Sequence, residues 1–371
     1  MSEARQSEGA DGACRRQGRT LVTGASGHLG ANLVRQLLAD GQAVRVLYRE
    51  GSNNSALDGL DVERVRGDLR DPEAMRAAAR GCRYIYHCAA RVSTVAGGER
   101  EIYECNVLGT RNLLRAAVAA GVERVVVTGS FSAVGHLPDR PSDEEVPFYP
   151  FDRHLPYAHT KALVEHECWH AAAAEGLDVV VVTSCAIVGP NDFKPSRMGR
   201  LLCDFAAGRL RAYVPGGFDF VSTHDIVQGH LLAMQRGRRG HRYIISTQFH
   251  TMDEIMQMFS EITGRKRLPL RLPGPLMSAL AEVTSFVGAR LFPGREQLIT
   301  PAAVRLLRLS RRADTSKAQR ELGFRPTSIR PALQQAYEFF VRRGQIAAPA
   351  RRAAVPRGPA LTTESQPGAG L

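Results

Sequence analysis

The segment Pro156-Tyr157-Ala158-His159-Thr160-Lys161 sets a phenol and an ammonium four residues apart. On a helix that spacing puts both side chains on one face, so Tyr157 and Lys161 are able to act as a unit. A free tyrosine ionises near pH ~10, too high for proton exchange at neutrality, and a neighbouring ammonium stabilises the phenolate. Tyr157 then suits the acid that protonates a carbonyl oxygen, or the base of the reverse step. Upstream, Thr128-Gly129-Ser130-Phe131-Ser132 ends a β-branched run, placing hydroxyls at the carboxyl edge of a strand, where ligands of open α/β sheets bind. Ser130 is the choice for a second hydrogen bond to the substrate oxygen. Ser132, two residues further along an extended segment, shares its face and is the alternative.

A second constellation says what the phenol works with. The apolar run Thr20–Thr23 leads straight into Gly24-Ala25-Ser26-Gly27-His28-Leu29-Gly30 and then an amphipathic helix. That context suits a dinucleotide-binding turn: Gly24 for the tight turn, Gly27 for backbone approach to a pyrophosphate, Gly30 for close helix packing. His28 is expected to offer its backbone N–H to phosphate and its side chain to solvent. An oxidised nicotinamide beside Tyr157 adds to the stabilisation of its phenolate, and Lys161 also holds the nicotinamide ribose. The second strand ends Leu47-Tyr48-Arg49, with no acidic residue at Tyr48 to grip a ribose 2′-hydroxyl. Arg49 suits a 2′-phosphate and favours NADPH over NADH, while Glu50 keeps NADH open. Asp68, after the third strand, is placed to accept from the adenine amino group.

These residues need a scaffold, and the pattern supplies one. Strands are expected at Thr20–Thr23, Ala43–Tyr48, Val62–Arg66, Tyr84–His87, Val125–Thr128 and Val179–Thr183, each apolar enough to be buried on both faces. Helices fall between them at Leu29–Ala39, Pro72–Arg80 and Tyr103–Ala120, with late ones at Met252–Thr263 and Pro331–Val341. The fold class is α/β, a Rossmann-type doubly wound parallel sheet with a smaller C-terminal substrate lobe. The expected organisation is a disordered 1–18, a dinucleotide domain over 19–188 with a return segment near 221–250, a substrate lobe from 189–220 and 251–345, and a disordered basic tail over 346–371.

Hydrophobic residues make up 44% and charged residues 23% of the 371, which excludes wholesale disorder and coiled coil. The net charge of +12 is concentrated at one end: residues 301–371 carry thirteen Arg and Lys against four acids. The rest is nearly balanced, so no nucleic-acid partner is expected; the tail and the amphipathic stretch 275–292 suit a peripheral membrane contact. Seven scattered cysteines without a CxxC pair or zinc spacing read as reduced thiols, with no metal site. With no apolar leader and no membrane span, the expected location is the cytoplasm, with room for membrane-peripheral attachment.

Taken together, the Gly24/Gly27/Gly30 turn, Asp68-Leu69, His87-Cys88-Ala89-Ala90, Asn106-Val107-x-Gly109-Thr110, Ser130, Tyr157/Lys161 and Val188-Gly189-Pro190 resemble the extended short-chain dehydrogenases/reductases, over about Arg19 to Arg343. Residues 192–195, 199–200, 212–214 and 229–233 look like the dihydroflavonol-reductase-like branch, which includes the hopanoid-associated sugar epimerases. The resemblance implies Ser130, Tyr157 and Lys161 as the catalytic set. It also implies Ala89 and Ala90 along the nicotinamide ribose and pyrophosphate, Leu69 and Ile187 among the cofactor contacts, and Asn106 ordering the active-site helix or a water. A homodimer through helices 103–120 and 157–175 is implied too. Cys185, Ala186 and Gly129 depart from the family pattern.

Phe131, Phe148, Tyr149, Phe151, Ile187, Val188, Phe193 and Tyr213 are the candidate pocket, with Phe131, Ser132, Phe193 and Tyr213 foremost as substrate contacts. Such a pocket suits a lipophilic ketone or secondary alcohol: a polyketide, prenylated aromatic or quinolone, or steroid-like molecule. A sugar-nucleotide epimerase that retains NAD is the alternative, for which Lys194, Arg197, Arg200, Arg209 and Arg211 are candidate diphosphate ligands. A non-catalytic NAD(P)-sensing scaffold is a third reading, which has no use for Tyr157 and Lys161.

Overall fold

The computed structural model describes residues 18–92, 98–148, 156–273, 304 and 307–347. Its centre is a seven-stranded, wholly parallel sheet built from β1 (Arg19–Thr23), β2 (Val44–Tyr48), β3 (Glu63–Arg66), β4 (Cys82–His87), β5 (Arg124–Ser130), β6 (Val179–Ser184) and β10 (Arg242–Ile245). The order is β10-β6-β5-β4-β1-β2-β3, so the direction of winding reverses between β1 and β4. That switch point opens a crevice at the carboxyl ends of the strands, where an open α/β sheet binds its ligands.

Parallel neighbours need crossovers, and the helices supply them on both faces. One face is covered by α1 (His28–Ala39), α7 (Thr223–Arg236) and α9 (Ser316–Leu322), whose Leu33, Leu37, Ile226 and Leu322 pack on Val22, Val46 and Val182. The other carries α2 (Pro72–Ala79), α4 (Gly109–Ala119) and α5 (Pro156–Ala174), whose Met75, Leu113 and Val164 pack on Leu21, Ile85 and Val127. A third apolar cluster builds the second lobe from α6 (Arg197–Ala206), α8 (Met252–Thr263) and α10 (Ile329–Arg342).

Several elements depart from the sequence reading. β3 is not buried on both faces: it is the sheet's outer edge, and Glu63, Arg64 and Arg66 are exposed. The helix expected from Tyr103 begins as α3 (Glu99–Tyr103) and passes through a π-helical turn, Glu104–Leu108, before α4. Such turns insert one extra residue per hydrogen-bonded loop and rotate the side chains that follow. β7 (Ala186–Val188) is not simply the approach to a turn; it joins β9 (Gly217–Ser222) and β11 (Gln248–Thr251) in a second sheet. Two short strands, β8 (Ala212–Tyr213) and β12 (Leu270–Arg271), form a parallel pair beside it. The stretch 275–292, the segment 1–17 and the tail from 348 lie outside the described residues. No helix among the described residues is long and apolar enough to cross a membrane.

Candidate active site

At the mouth of β1, Gly24 adopts φ +73° and presses its backbone onto the loop after β4: a Cβ there would stand 2.5 Å from Ala89 N. At Gly30 a Cβ would fall 2.2 Å from Gly24 O, so only glycine lets α1 start this close to the turn. Gly27 caps α1 without any side-chain hydrogen bond, and no acidic residue occupies the first turn. The leading N–H groups and the positive helix end are therefore available to an anion, which fits a cofactor pyrophosphate. Lys194, from the second lobe, reaches across to donate to Ser26 Oγ at 2.9 Å, adding a cation to the same turn.

Behind the turn runs a buried relay. His87 Nδ1 is 2.6 Å from Thr23 Oγ1 and Nε2 is 2.9 Å from Thr110 Oγ1. Thr110 spends its proton on Asn106 O, so it accepts from His87 Nε2–H, which leaves Nδ1 to accept from Thr23. Burial, reinforced by the Lys161 charge, lowers the imidazole to about 3 and keeps it neutral. Asn106, carried by the π-helical turn, accepts from Arg91 N at 2.7 Å and donates to Arg91 O and to Thr160 Oγ1. It thereby clamps the Ala89–Arg91 loop to the helix that carries Tyr157 and Lys161.

Ser130 ends β5, and its hydroxyl bonds both Ser132 Oγ, at 2.8 Å, and the Tyr157 phenol. The structure thus gathers both candidate serines at one point, with Ser130 between Tyr157 and Ser132. Burial pushes the Tyr157 phenol up to about 12, a rise that the Ser130 bond opposes. Lys161 directs its ammonium to Thr128 O at 2.6 Å; burial lowers it to about 8, against the pull of the nearby acidic groups.

Ser130, Ser132 and Tyr157 form one end of a cavity of about 430 Å³. Its walls are Phe131, Leu201, Leu210, Tyr213, Val214, Phe218, Met252 and Leu307. Asp219 and Arg311 line it too but are tied to the protein: Asp219 accepts from Ser246 Oγ and Ala313 N, and Arg311 donates to Phe131 O. Tyr213 is held by Asp253 Oδ1 at 2.5 Å. The cavity is therefore chiefly an apolar sleeve ending at a phenol and two hydroxyls, the make-up expected of a small-molecule site.

Residues 20–246 match the model of the NAD dependent epimerase/dehydratase family. The chain belongs to that family. It is 47% identical over 327 residues, 88% of this chain and 99% of the relative, to sterol demethylase protein B of Methylococcus capsulatus. It is 30% identical over 82% of its length to a 4-hydroxy-2-methyl-3-oxo-4-farnesyl-3,4-dihydroquinoline-1-oxide ketoreductase of Stigmatella aurantiaca, covering 91% of that protein. Among solved structures it is similar to the dTDP-glucose 4,6-dehydratase DesIV of Streptomyces venezuelae with NAD and TYD bound, with a TM-score of 0.73 and 26% identity; 88% of this chain and 98% of that one are covered. It is an NAD-dependent oxidoreductase of the extended short-chain dehydrogenase/reductase type.

Within this epimerase/dehydratase-family enzyme some residues sit elsewhere than the sequence suggests. His28 does not face solvent: Nε2 lies 3.2 Å from Gly189 O and 3.1 Å from Pro190 O, pinning α1 to the turn after β7. Phe193 is outside the cavity lining, edge-on to Phe339 and covered by Arg35 and Arg343. Phe148 stacks on His166 and Trp169 instead. Asp68 gives its carboxylate to Arg70, with Nε and Nη2 each at 2.9 Å, and lies 3.9 Å from Arg49 Nη1, so few of its lone pairs are left for adenine. Leu69 is buried in the core under α4, where Gly109 packs on it. Ile187 packs its side chain against the sheet core, and Tyr149 and Phe151 lie outside the described residues. Ala25 is buried beneath the turn, with Leu29 in the core behind it and Ala90 half-buried beyond Ala89. The sequence reading missed Leu201, Leu210, Val214, Phe218 and Met252; the apolar stripe of α6 was a signal for Leu201, while the other four come from separate loops, a strand and the start of α8.

Proposed function

We propose that this enzyme moves hydride between NAD(P) and a secondary alcohol or ketone on a polycyclic or isoprenoid lipophile of the sterol class. The observation that carries the reading is the apolar sleeve ending at Ser130 and Tyr157. The names of the sterol and farnesyl-quinoline relatives agree with it. When bound, the nicotinamide supplies or accepts the hydride. In the reductive direction Tyr157 gives its proton to the carbonyl oxygen while Ser130 donates a hydrogen bond to the same atom. In the oxidative direction Tyr157 takes the hydroxyl proton. Lys161 holds the ribose and stabilises the phenolate, and the sleeve excludes water. The test is turnover of NAD(P)H or NAD(P) with a panel of hydroxysterols and ketosteroids, beside UDP- and dTDP-sugars. Turnover of sugar nucleotides alone, with an equivalent of NAD retained through purification, would sink the reading in favour of the epimerase. Of that alternative's candidate cations only Arg197 lines the cavity; Lys194 lies on the cofactor turn and Arg209 pairs with Asp204.

The cofactor preference is proposed to be NADPH. Glu50 is drawn to Arg66 at 2.6 Å and Asp68 to Arg70 at 2.9 Å, which leaves Arg49, 3.9 Å from Asp68, and Lys194 as the cations least engaged around the adenosine end. Arg49→Glu is expected to weaken NADPH binding by roughly 10–100-fold, the value of a charge-assisted contact, and to spare NADH. Fluorescence titration of both cofactors checks this, and equal losses for the two would refute it.

A peripheral contact with anionic membranes is also proposed, on a ridge next to the cavity wall. Leu268 and Leu270 are 45% and 64% exposed and are flanked by Arg265, Lys266, Arg267 and Arg271. β12 on this ridge pairs with β8, which lines the sleeve. The full chain should float with phosphatidylglycerol vesicles and not with phosphatidylcholine, less so at high salt. Leu268→Asp with Leu270→Asp should abolish flotation; unchanged flotation would assign it to the basic tail.

A further inference from the structure

The chain turns sharply straight after Ser130, and a residue distant in sequence holds that turn. Ser130 caps a single helical turn, Phe131–Ala133, its Oγ accepting from Ser132 N at 3.3 Å, and Val134 N closes on Phe131 O at 3.2 Å. Arg311, 180 positions beyond Phe131, supplies the grip. Its Nη2 donates to Phe131 O at 2.9 Å, to Val134 O, and to Gly135 O at 3.3 Å, and its guanidinium carbon stands 4.8 Å from the centre of the Phe131 ring. One guanidinium therefore bonds both ends of the turn. Arg311 is only 4% exposed, and a charge buried so deeply is tolerated where its hydrogen bonds are made.

The segment that carries Arg311 is itself tied down. Ala313 N donates to Asp219 Oδ2 on β9 at 2.7 Å, while Ser142 donates its backbone N–H to Arg312 O at 2.8 Å and accepts from Asp314 N at 2.9 Å. The Ser142 hydroxyl goes to Gly135 O at 2.9 Å, so the same turn is fastened twice. Ser310, next to Arg311, adopts φ +43°, a left-handed conformation that a residue with a Cβ keeps only where its surroundings impose it. Phe131, Asp219, Leu307 and Arg311 all line the sleeve. A ligand filling it meets both the turn and the segment that fixes the turn.

We propose that Arg311 is a positioning residue for the reaction, which fixes the turn after β5 so that the Ser130 hydroxyl stays on the Tyr157 phenol and reaches the substrate oxygen. Ser130 begins this turn, and Phe131 O, the first carbonyl that Arg311 holds, belongs to the very next residue. A shift there moves Ser130 relative to Tyr157, which is mounted separately on α5. Arg311 acts through the turn and not on the substrate, because its Nη2 is engaged by carbonyls. The planar fork suits this task; a lysine would bring a compact point charge on a flexible stem. The inference rests on the hydride-transfer reading above for the identity of the reacting oxygen, whereas the geometry of the turn serves any substrate that the Ser130–Tyr157 pair can take.

In the full chain, Arg311→Met is expected to lower the single-turnover rate about 10–100-fold with whichever substrate the wild-type enzyme turns over, the cost of a misplacement of about 1 Å. The Kd for NADH should stay near wild type, and Arg311→Lys should recover part of the rate. The deciding measurement is a cycle with Ser130→Ala. If Arg311 works through that hydroxyl, the double variant should match Ser130→Ala alone within about 2-fold, whereas independent losses multiply. Ser142→Ala removes one bond to Gly135 O and leaves Arg311 in place; it should show a smaller loss with the same dependence on Ser130, and it carries the cycle if Arg311→Met does not fold. Failure of the hydride-transfer reading shows separately, as no turnover by the wild-type enzyme. The crystal structure of Arg311→Lys then decides, with Ser130 Oγ expected to leave the Tyr157 hydroxyl. Losses that multiply, a wild-type rate with only Tm lowered, or a turn that keeps Ser130 on Tyr157 would overturn the proposal.

Discussion

Replacing Tyr157 with phenylalanine is expected to lower kcat by about 10³-fold, within the range that general acid–base groups contribute, while leaving the Kd for NADH close to wild type. The ring would stay in place against Ser130, and the cavity would keep its shape, because only the hydroxyl is removed. What is lost is the phenol that stands beside Ser130 and Ser132 in the lining of the cavity. No neighbour can replace it: Ser130 and Ser132 bond each other but titrate far above neutrality, and Lys161 is committed to Thr128 O. The deficit should be of similar size in both directions, since the same oxygen gives the proton in reduction and takes it in oxidation. Stopped-flow single turnover with a ketosteroid separates this chemical loss from product release. If Tyr157→Phe retained wild-type turnover, the proton would have to come from elsewhere and the assignment would fail. If no substrate is turned over by either form, the scaffold reading gains.

The contrast between what is readable in the chain and what is not has a physical basis. The six strands and the glycine turn are local features: β-branched runs of four to seven residues, and glycines whose spacing is fixed by one turn and one helix start. The Tyr157–Lys161 relation is equally local, being one turn of helix. Contacts made across the fold were out of reach. Lys194 meets Ser26 across 168 positions, and His28 meets Gly189 and Pro190 across about the same interval. Nothing in the flanking residues of His28 announces a carbonyl partner so far away. Phe193 was misplaced for a related reason: an aromatic ring in a loop looks equally suited to a cavity or to another ring, and Phe339, in the last helix, decides for the latter. β3 was misjudged because Val62 and Val65 read as an apolar run, although Glu63, Arg64 and Arg66 mark the solvent-facing edge. The π-helical turn that aims Asn106 at both Arg91 and Thr160 has no propensity signature, since it is imposed by what the side chain must reach.

Gly30→Ala should be the most damaging of the small substitutions at the cofactor end, with NADH affinity falling roughly 10–100-fold. The added Cβ would lie 2.2 Å from Gly24 O and 2.8 Å from Ala25 Cα, both backbone, so no side-chain rotation relieves it. Either α1 moves away from β1 or the turn opens, and overpacking of this kind costs about 1–3 kcal/mol. Both movements displace the uncapped N–H groups at the start of α1 from the position where they converge on a pyrophosphate. The same movement strains the His28 bonds to Gly189 and Pro190, which couple α1 to the second lobe, so Tm should fall as well. Gly27→Ala is the informative partner, because its Cβ would meet only Gly24 O, at 3.2 Å, a contact that a few tenths of an ångström relieve. Its Tm should stay near wild type while its affinity drops, since the methyl would stand between the backbone and the pyrophosphate. Calorimetric titration with NADH alongside thermal melts distinguishes the two. Equal effects of both substitutions on Tm and Kd would mean that the turn acts by general packing rather than by presenting its amides.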